Sequence, residues 1–312
     1  MVETFEPPPH HLANLTALHL DEFVAYVDKI GGPISPAFSN LAKGFFYTPE
    51  VKVDQALDPF SETYCDQMIE LYRELSGRDL DQETGEITTI DVAHHAASAN
   101  PYASRNIAFI SKHARAVLTA TMMANLPSAA KVLDLGCGWG LSTEMLEFTG
   151  AHVTAVDINS DFVELVERRS KRRLSETRII KSNFDSLNLA ESYDMAFFYE
   201  CLHHAVRPWE TLKHISTFVV PNGRIVFAGE PINEFWWKNW GLRLDPLSLY
   251  CIRKFGWFES GWSKSFLRAM FDKIGWELQL VDGVGLDGGI IGFAHRRGAD
   301  GVRPLGPVYE VA

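Results

Sequence analysis

The sequence lacks the excess of positive charge on which nucleic-acid-binding proteins depend. Its 29 lysines and arginines are outnumbered by 40 acidic residues, which gives a net charge of −11. Binding to a phosphate backbone requires a basic face, and the one basic cluster, residues 168–173, is better explained as the solvated end of a helix. We therefore expect no nucleic-acid partner.

Cysteine and long apolar runs are scarce as well. The four cysteines form no C-x-x-C pair, so the sequence indicates neither a disulfide framework nor a zinc site. The acidic, proline-rich N-terminus does not resemble a signal peptide. No apolar run approaches the roughly 20 residues that a transmembrane helix needs. These absences favour a cytoplasmic protein without a membrane partner.

What the sequence does contain is a change of pattern near Pro127. Before it, apolar residues recur at helical spacing, and one predicted helix begins at Ser61 and ends at Gly77. After it, short apolar runs alternate with amphipathic helices, which predicts a parallel sheet with helices on both faces. The predicted strands are 131–135, 152–157, 178–181, 193–199, 224–228, 276–282 and 289–295. We expect a helical, substrate-covering region at 1–110 and a domain at 111–312, with an aromatic-rich insertion at 232–262.

The most informative segment is 132–140, which reads VLDLGCGWG. An apolar strand runs into three alternate glycines, Gly136, Gly138 and Gly140, and then into a helix. Glycines at such a turn let the chain reverse tightly and let a ligand approach the main chain. Dinucleotides and S-adenosylmethionine are both bound in this way. The dinucleotide fingerprint, however, needs a small residue where Leu141 stands.

The segment resembles the first motif of the class I S-adenosylmethionine-dependent methyltransferases, and the resemblance extends over about 130 to 295. It implies an α/β fold with a doubly wound, mostly parallel seven-stranded sheet, the Rossmann-like methyltransferase fold, and S-adenosyl-L-methionine as the cofactor. The glycine turn would lie against the methionine part of the cofactor, and Asp134 would support the site. Asp157 ends the second strand about twenty residues after the glycines, where an acid binds a ribose diol in NAD enzymes too.

The resemblance also assigns residues to the rest of the cofactor. Ile158 would make an apolar contact with adenine. Asn183 stands where the family usually has Asp, and it would accept a hydrogen bond from the adenine amino group through its side-chain carbonyl. Phe184 would contribute its backbone N–H. Glu200, at the end of the fourth strand, would hold the cofactor's amino group or a polar acceptor.

The residues that would serve the methyl acceptor are less specific. A hydroxyl acceptor needs a base, and His203 and His204 lie at the carboxyl edge of the sheet, where a base would act. Either histidine could instead cap the next helix or pack against the cofactor. Glu230 would bind a polar acceptor. Tyr102 and Arg105 would reach the cofactor carboxylate or an acidic acceptor, although an ordinary helix start with a solvated arginine explains them nearly as well.

Five of the eight tryptophans lie in the insertion at 232–262. We expect Trp236, Trp237 and Trp240 to contact the acceptor, because exposed aromatic rings stack on sugars, other rings and cations. The alternative is a small core that braces the N-terminal helices. His94 and His95 with Asp91 have no further ligand at a diagnostic spacing, so no metal site is predicted.

Together these features predict a methyltransferase acting on a small molecule or a saccharide. O-methylation is favoured because histidines and carboxylates line the predicted edge, and the sequence also allows a homodimer. Two alternatives stay open. One is a catalytically silent subunit that binds S-adenosylmethionine as a partner or sensor. The other is an NAD-dependent oxidoreductase, which Leu141 disfavours.

Overall fold

The computed structural model describes residues 10–282 and 289–307. The α-helices are α1 (His10–Ala13), α2 (Leu20–Lys29), α3 (Pro36–Leu41), α4 (Glu62–Ser76), α5 (Val92–Ala97), α6 (Ile107–Ala124), α7 (Leu141–Phe148), α8 (Ser160–Arg173), α9 (Pro208–Ile215), α10 (Pro246–Phe255) and α11 (Lys264–Lys273). The strands are β1 (Asn14–Leu15), β2 (Phe46–Tyr47), β3 (Lys131–Leu135), β4 (His152–Asp157), β5 (Arg178–Lys181), β6 (Tyr193–Tyr199), β7 (Val219–Ala228), β8 (Trp240–Leu242), β9 (Ser260–Trp262), β10 (Trp276–Asp282) and β11 (Ile290–Arg296). Among the helices of these ranges, none is both long and apolar enough to cross a bilayer.

The chain divides into two compact units. Unit 1 consists of Met1–Ile87 with Asn233–Ser263, and unit 2 of Thr88–Ile232 with Lys264–Ala312. This division differs from the predicted boundary at residue 110, because the segment from Thr88 onwards is hydrogen-bonded to α8 of the sheet-containing unit. It also groups the aromatic insertion with the N-terminal helices. All four cysteines are buried, and none of them forms a disulfide.

Unit 1 is a helical core completed by the insertion. The predicted helix α4 begins after Ser61, the N-cap, whose Oγ accepts a hydrogen bond from Tyr64 N–H at 3.2 Å. It ends at Gly77, which has a φ of +71°. The Tyr64 hydroxyl donates to the carbonyl of Trp240 at 2.6 Å, and the Tyr72 hydroxyl donates to that of Gly256 at 2.7 Å. The insertion is therefore part of the core of unit 1.

Unit 2 contains the predicted seven-stranded sheet. Its strand order is β10-β11-β7-β6-β3-β4-β5. The pairs formed by β7, β6, β3, β4 and β5 are parallel, whereas β11 runs antiparallel to both β7 and β10. The mostly parallel, Rossmann-like fold is thus confirmed, and the carboxyl ends of β3, β4 and β6 meet at one edge, where ligands bind in open sheets of this kind.

Both faces of the sheet are covered by helices. On one face, α6 and α7 pack over strand residues that include Val132, Phe197 and Val226. On the same face, Val166 of α8 packs against Ala155 of β4, which lies two residues after Val153 of that cluster. On the other face, the ring of Phe227, which alternates with Val226 along β7, stacks on Phe271 of α11 at 5.9 Å. Alternate burial to both sides is the pattern expected of a central strand covered on two faces.

One predicted boundary in the sheet is wrong. We predicted a strand at 224–228, but β7 runs without a break from Val219 to Ala228. The register of β6 and β7 shifts between Tyr193 and Met195, so an irregularity in the pairing accommodates the additional residues. Pro221, which lacks an N–H, is exposed in this irregular part of the strand.

Candidate functional site

The glycine turn joins β3 to α7. Gly136, Gly138 and Gly140 have φ values of +61°, +48° and +85°, which residues with a Cβ rarely adopt. A Cβ on Gly136 would lie 2.7 Å from the Cβ of Cys201, and a Cβ on Gly140 would lie 2.7 Å from Cγ2 of Val166. A Cβ on Gly138 would meet nothing among the described atoms closer than 4.0 Å. The turn is therefore packed at two glycines and open at the third.

Asp157 ends β4 and is tied directly to this turn. Its Oδ2 accepts a hydrogen bond from Gly138 N–H at 2.8 Å, and its Oδ1 accepts one from Asn159 N–H at 2.8 Å. Burial raises its pKa to about 6, although the backbone N–H groups of Asn159, Gly138 and Ile158 act in the opposite direction. Each carboxylate oxygen has a second lone pair, so Asp157 keeps the capacity to accept from a ribose diol.

Asp134 lies on β3 and is fully buried. Its Oδ2 accepts from the hydroxyls of Ser142 at 2.9 Å and Thr143 at 2.6 Å, both at the start of α7. Within the described ranges no donor reaches its Oδ1. Burial raises the pKa of Asp134 to about 7, partly offset by the two hydroxyls. A buried acceptor without a donor fits a site whose ligand, or a water held by it, supplies an N–H or O–H.

The side predicted to face adenine is only partly as expected. Asn183 Oδ1 accepts from both Ser186 N–H at 2.7 Å and Ser186 Oγ at 2.6 Å, which forms a turn stabilised by the asparagine side chain. Both lone pairs of this oxygen are in use, so the predicted hydrogen bond from the adenine amino group does not fit this geometry. Ile158 is half-buried. The Phe184 ring lies edge-on to Phe198, with centroids 5.6 Å apart.

The turn after β6 is built around a buried carboxylate. Glu230 Oε1 accepts from the N–H groups of Cys201 at 3.0 Å and Leu202 at 2.9 Å. Its Oε2 accepts from His203 N–H at 3.1 Å and from His203 Nδ1 at 2.8 Å. Burial disfavours the charge, but His203 and the N–H donors hold the pKa of Glu230 below its usual value. Glu230 therefore positions the turn, which corrects its predicted contact with the acceptor.

The two candidate bases, His203 and His204, lie in a short 3-10 helix, Leu202–His204, within the turn that Glu230 binds. His203 is buried and His204 is half-buried, and their ring centroids lie 4.4 Å apart. Because Nδ1 of His203 donates to Glu230, the basic lone pair of this imidazole lies on Nε2. A carboxylate behind an imidazole fixes its tautomer and stabilises the protonated ring. His203 is thus equipped for proton transfer.

Sequence analysis missed a histidine–tyrosine pair at the same edge. His113 of α6 is buried, and its Nδ1 lies 2.6 Å from the Tyr199 hydroxyl. The predicted residue Glu200 brings Oε2 within 3.5 Å of the same nitrogen. Glu200 has a φ of +52°, which is uncommon for a residue with a side chain, and this conformation turns the chain at the end of β6. Burial, followed by the charge of Glu200, raises the pKa of Tyr199.

A second aromatic group lies beside the glycine turn. The indole of Trp139, within the turn, lies 4.5 Å from the ring of His95, 5.1 Å from that of Phe162 and 5.8 Å from that of Tyr102. We call His95, Tyr102, Trp139 and Phe162 the aromatic wall. Tyr102 therefore lies beside the glycine turn, and its contact with the cofactor carboxylate or an acidic acceptor stays a prediction. Arg105 is exposed, and its contact with a cofactor carboxylate stays a prediction.

The tryptophans of the insertion divide into buried and accessible rings. Trp240 is fully buried and its Nε1 donates to the carbonyl of Pro59 at 2.8 Å, while Trp237 donates to that of Leu242 at 2.8 Å. Both indoles are used in the core of unit 1, so their predicted contact with an acceptor is not supported. Trp236 is half-buried, with the Arg243 guanidinium 5.4 Å from its ring centroid, and it stays a candidate.

Known proteins with similar sequences are methyltransferases. Residues 133–227 match a methyltransferase domain family. The mitochondrial ubiquinone biosynthesis O-methyltransferase of Schizosaccharomyces pombe is 30% identical over 107 residues, which cover 33% of this chain and 39% of that protein. The ubiquinone biosynthesis O-methyltransferase of Salmonella paratyphi A is 26% identical over 133 residues, covering 40% and 55%. The chain thus matches between 39% and 55% of the length of these relatives.

Solved structures share the fold at low sequence identity. A chain from a Haloferax volcanii complex of a methyltransferase with its activator has a TM-score of 0.51 and 16% identity, covering 67% of this chain and 98% of that chain. An S-adenosylmethionine-dependent methyltransferase from Clostridium acetobutylicum has a TM-score of 0.46 and 13% identity, covering 60% and 92%. Residues 133–227 are thus similar to a methyltransferase domain, and the Haloferax volcanii structure shows that the chain shares the fold.

Proposed function

We propose that the protein transfers a methyl group from S-adenosylmethionine to a hydroxyl group of a small molecule. The observation that carries this proposal is the glycine turn, which is open at Gly138 and bonded there to Asp157. S-adenosylmethionine supplies a methyl group bound to a positively charged sulfur. The names of the relatives, O-methyltransferases of ubiquinone biosynthesis, support a small acceptor with a hydroxyl group. A saccharide belongs to the same chemical class of acceptor.

The residues of the turn would bind the cofactor. Gly138 provides the close approach to the main chain, and Asp157 accepts from the ribose. Asp134, whose buried Oδ1 has no hydrogen-bond donor among the described residues, favours the positive charge and the hydrogen-bond donors of the methionine part. Ile158 and Phe184 supply apolar surface beside adenine. Alignment of acceptor and methyl group in a site that excludes water accounts for most of the catalysis of such a transfer.

His203 would act as the base that takes the acceptor's proton. Glu230 holds its Nδ1–H at 2.8 Å, so Nε2 is the nitrogen that receives the proton, and the buried carboxylate stabilises the imidazolium that results. His204, the next residue in the same 3-10 helix, is the alternative base. The cytoplasmic location and the homodimer stay predictions.

Calorimetric titration with S-adenosylhomocysteine, with NAD as the parallel ligand, tests the cofactor. The wild-type protein should bind the first and not the second. Gly138→Val should weaken binding at least ~tenfold because the new side chain fills the open space. Gly150→Val is the matched control, since Gly150 also has a positive φ, +84°, and open space around it. Binding of NAD without binding of S-adenosylhomocysteine would overturn the proposal.

Transfer of radiolabelled methyl to a panel of phenols and saccharides tests the reaction. His203→Asn should lower kcat ~10²-fold or more, as expected for loss of a general base, and leave the affinity for S-adenosylhomocysteine unchanged. His152→Asn, at the exposed start of β4, is the control. A protein that binds the cofactor but never consumes it, even by slow hydrolysis, would be the silent subunit instead.

A further inference from the structure

The segment 88–104, which we call the strap, is attached at its start to the first turn of α8. The side-chain amide of Asn159 donates to the carbonyl of Thr88 at 2.7 Å. Asp161 Oδ2 accepts from the backbone N–H of Ile90 at 3.0 Å. Both side chains belong to the N-terminus of α8, and Asn159 is its N-cap. The beginning of the strap is therefore fixed in position by α8.

The middle of the strap is attached to α8 a second time, by two arginines. Arg169 Nη1 donates to the carbonyls of His95 at 3.0 Å and Ser98 at 2.9 Å. Arg172 Nη1 donates to the carbonyls of residues 96 and 97 at 2.9 Å and 3.0 Å. These carbonyls end α5, where a helix leaves acceptors without internal partners and favours a positive charge.

Arg169 is unusual among these attachments because it is buried, with 6% of its surface exposed. Its Nε donates to Glu144 Oε1 of α7 at 2.5 Å. A guanidinium with its donors in a fixed fork can bond a carboxylate and two carbonyls at once, which an ammonium cannot do with the same geometry. Arg169 thus connects the helix that follows the glycine turn, α7, to the strap.

The strap carries two members of the aromatic wall. His95 lies at the end of α5, with its ring against Trp139, and its Nδ1 is 2.8 Å from the carbonyl of Pro101. Tyr102 follows directly and faces both Trp139 and His113. Fixing the carbonyls of His95 and Ser98 therefore fixes where the two rings lie relative to the glycine turn.

One residue contacts both the strap and the acid proposed to bind ribose. Asn159 donates its backbone N–H to Asp157 Oδ1 at 2.8 Å and its side-chain N–H to Thr88 O at 2.7 Å. Displacement of the strap would therefore disturb the residue that orients Asp157. In the other direction, a ligand that orders Asp157 favours the attached strap.

We propose that α8 holds the strap against the glycine turn so that the aromatic wall forms one side of the cofactor site, with Arg169 as a positioning residue for cofactor binding. The inference rests on the proposed function, because it concerns the site at which the cofactor would bind. Arg169 acts through the carbonyls of His95 and Ser98 and does not itself contact the cofactor. The residues that do so are Tyr102 and Trp139.

Hydrogen exchange of the full-length protein without ligand, read by mass spectrometry, tests the attachment. In Arg169→Lys and Arg172→Ala, amides of the strap should exchange about tenfold faster, since each variant loses charge-assisted bonds to the carbonyls of α5. Arg173→Ala is the matched control. Arg173 lies on the same helix but bonds Glu144 and Glu147 instead of the strap, so its removal should leave exchange in the strap unchanged.

Affinity for S-adenosylhomocysteine, measured on the same variants, tests the positioning role. Arg169→Lys and Arg172→Ala should raise Kd about tenfold, saturating ligand should restore protection of the strap, and Arg173→Ala should bind like wild type. Faster exchange of the strap with an unchanged Kd would overturn the inference and leave the proposed function intact. Unchanged exchange in both strap variants would also overturn it. A wild-type protein that does not bind S-adenosylhomocysteine would overturn both.

Discussion

Replacement of Asp134 by asparagine should make the ligand-free protein less sensitive to alkaline pH. The carboxyl group is fully buried and raised to a pKa of about 7, whereas in an unfolded chain an aspartate titrates near a pKa of about 3.9. Between these values the folded protein holds the proton and the unfolded chain does not. The proton therefore stabilises the fold, and this stabilisation is lost as the pH rises through about 7.

The size of the effect follows from the two pKa values. Linkage gives a loss of about 2.5 kcal/mol in the free energy of unfolding from this one group between about pH 5 and about pH 8. The wild-type protein has this loss and Asp134→Asn does not, so the variant should gain that amount relative to wild type across the range. Burial also raises the pKa of Asp157, to about 6. This residue is present in both proteins, so its contribution cancels in the difference between their free energies of unfolding.

Urea unfolding followed by circular dichroism at several pH values measures this difference. Asp272→Asn is the control, because the Asp272 carboxylate lies at the surface beside Arg297, where an ion pair contributes little. The difference in free energy of unfolding between Asp272→Asn and wild type should hardly vary with pH. A difference between wild type and Asp134→Asn that stays constant over the whole range would refute the reasoning, since Asp134 would then be ionised throughout.

Three further substitutions test the roles assigned above. Gly136→Ala places a Cβ 2.7 Å from the turn after β6 and should cost about 1–3 kcal/mol in the free energy of unfolding, measured in urea. Glu230→Gln removes the charge that holds His203, so kcat should fall at least ~tenfold, while S-adenosylhomocysteine still binds in calorimetry. Trp240→Ala should destabilise the protein by about 3–5 kcal/mol, as for a core tryptophan. Trp236→Ala should leave thermal stability nearly unchanged and raise KM for the acceptor if this ring contacts it.

Much of the fold follows from local sequence. The bounds of β4 and β6 are as predicted because each is an apolar run of strand length bordered by polar residues. The helix between Ser61 and Gly77 was predicted from the helical spacing of its apolar residues and from its two ends, and both caps are observed. The glycine turn and an acid at the end of the next strand were likewise predicted, since a strand, three glycines and a later acid form one recognisable pattern. The hydrogen bond from Gly138 N–H to Asp157 was not predicted.

The remainder depends on contacts between distant residues. Glu230 organises a turn that begins 29 residues before it, and no pattern in the sequence relates the two. His113 is one polar residue on an otherwise apolar helix face, so its pairing with Tyr199 gave no local signal. Asn183 is different, because a serine three residues later already indicated that its side chain stabilises a turn.

The burial of every cysteine makes thiol chemistry a selective tool for this protein. Thiolates are the reactive form, and burial raises the pKa of Cys137 and Cys201 well above the ordinary value. A cysteine introduced at the surface would therefore accept a dye or spin label while the native thiols stay in place. Cys137 lies within the glycine turn and Cys201 beside it. The rate at which these two thiols are alkylated would therefore measure how often the turn opens.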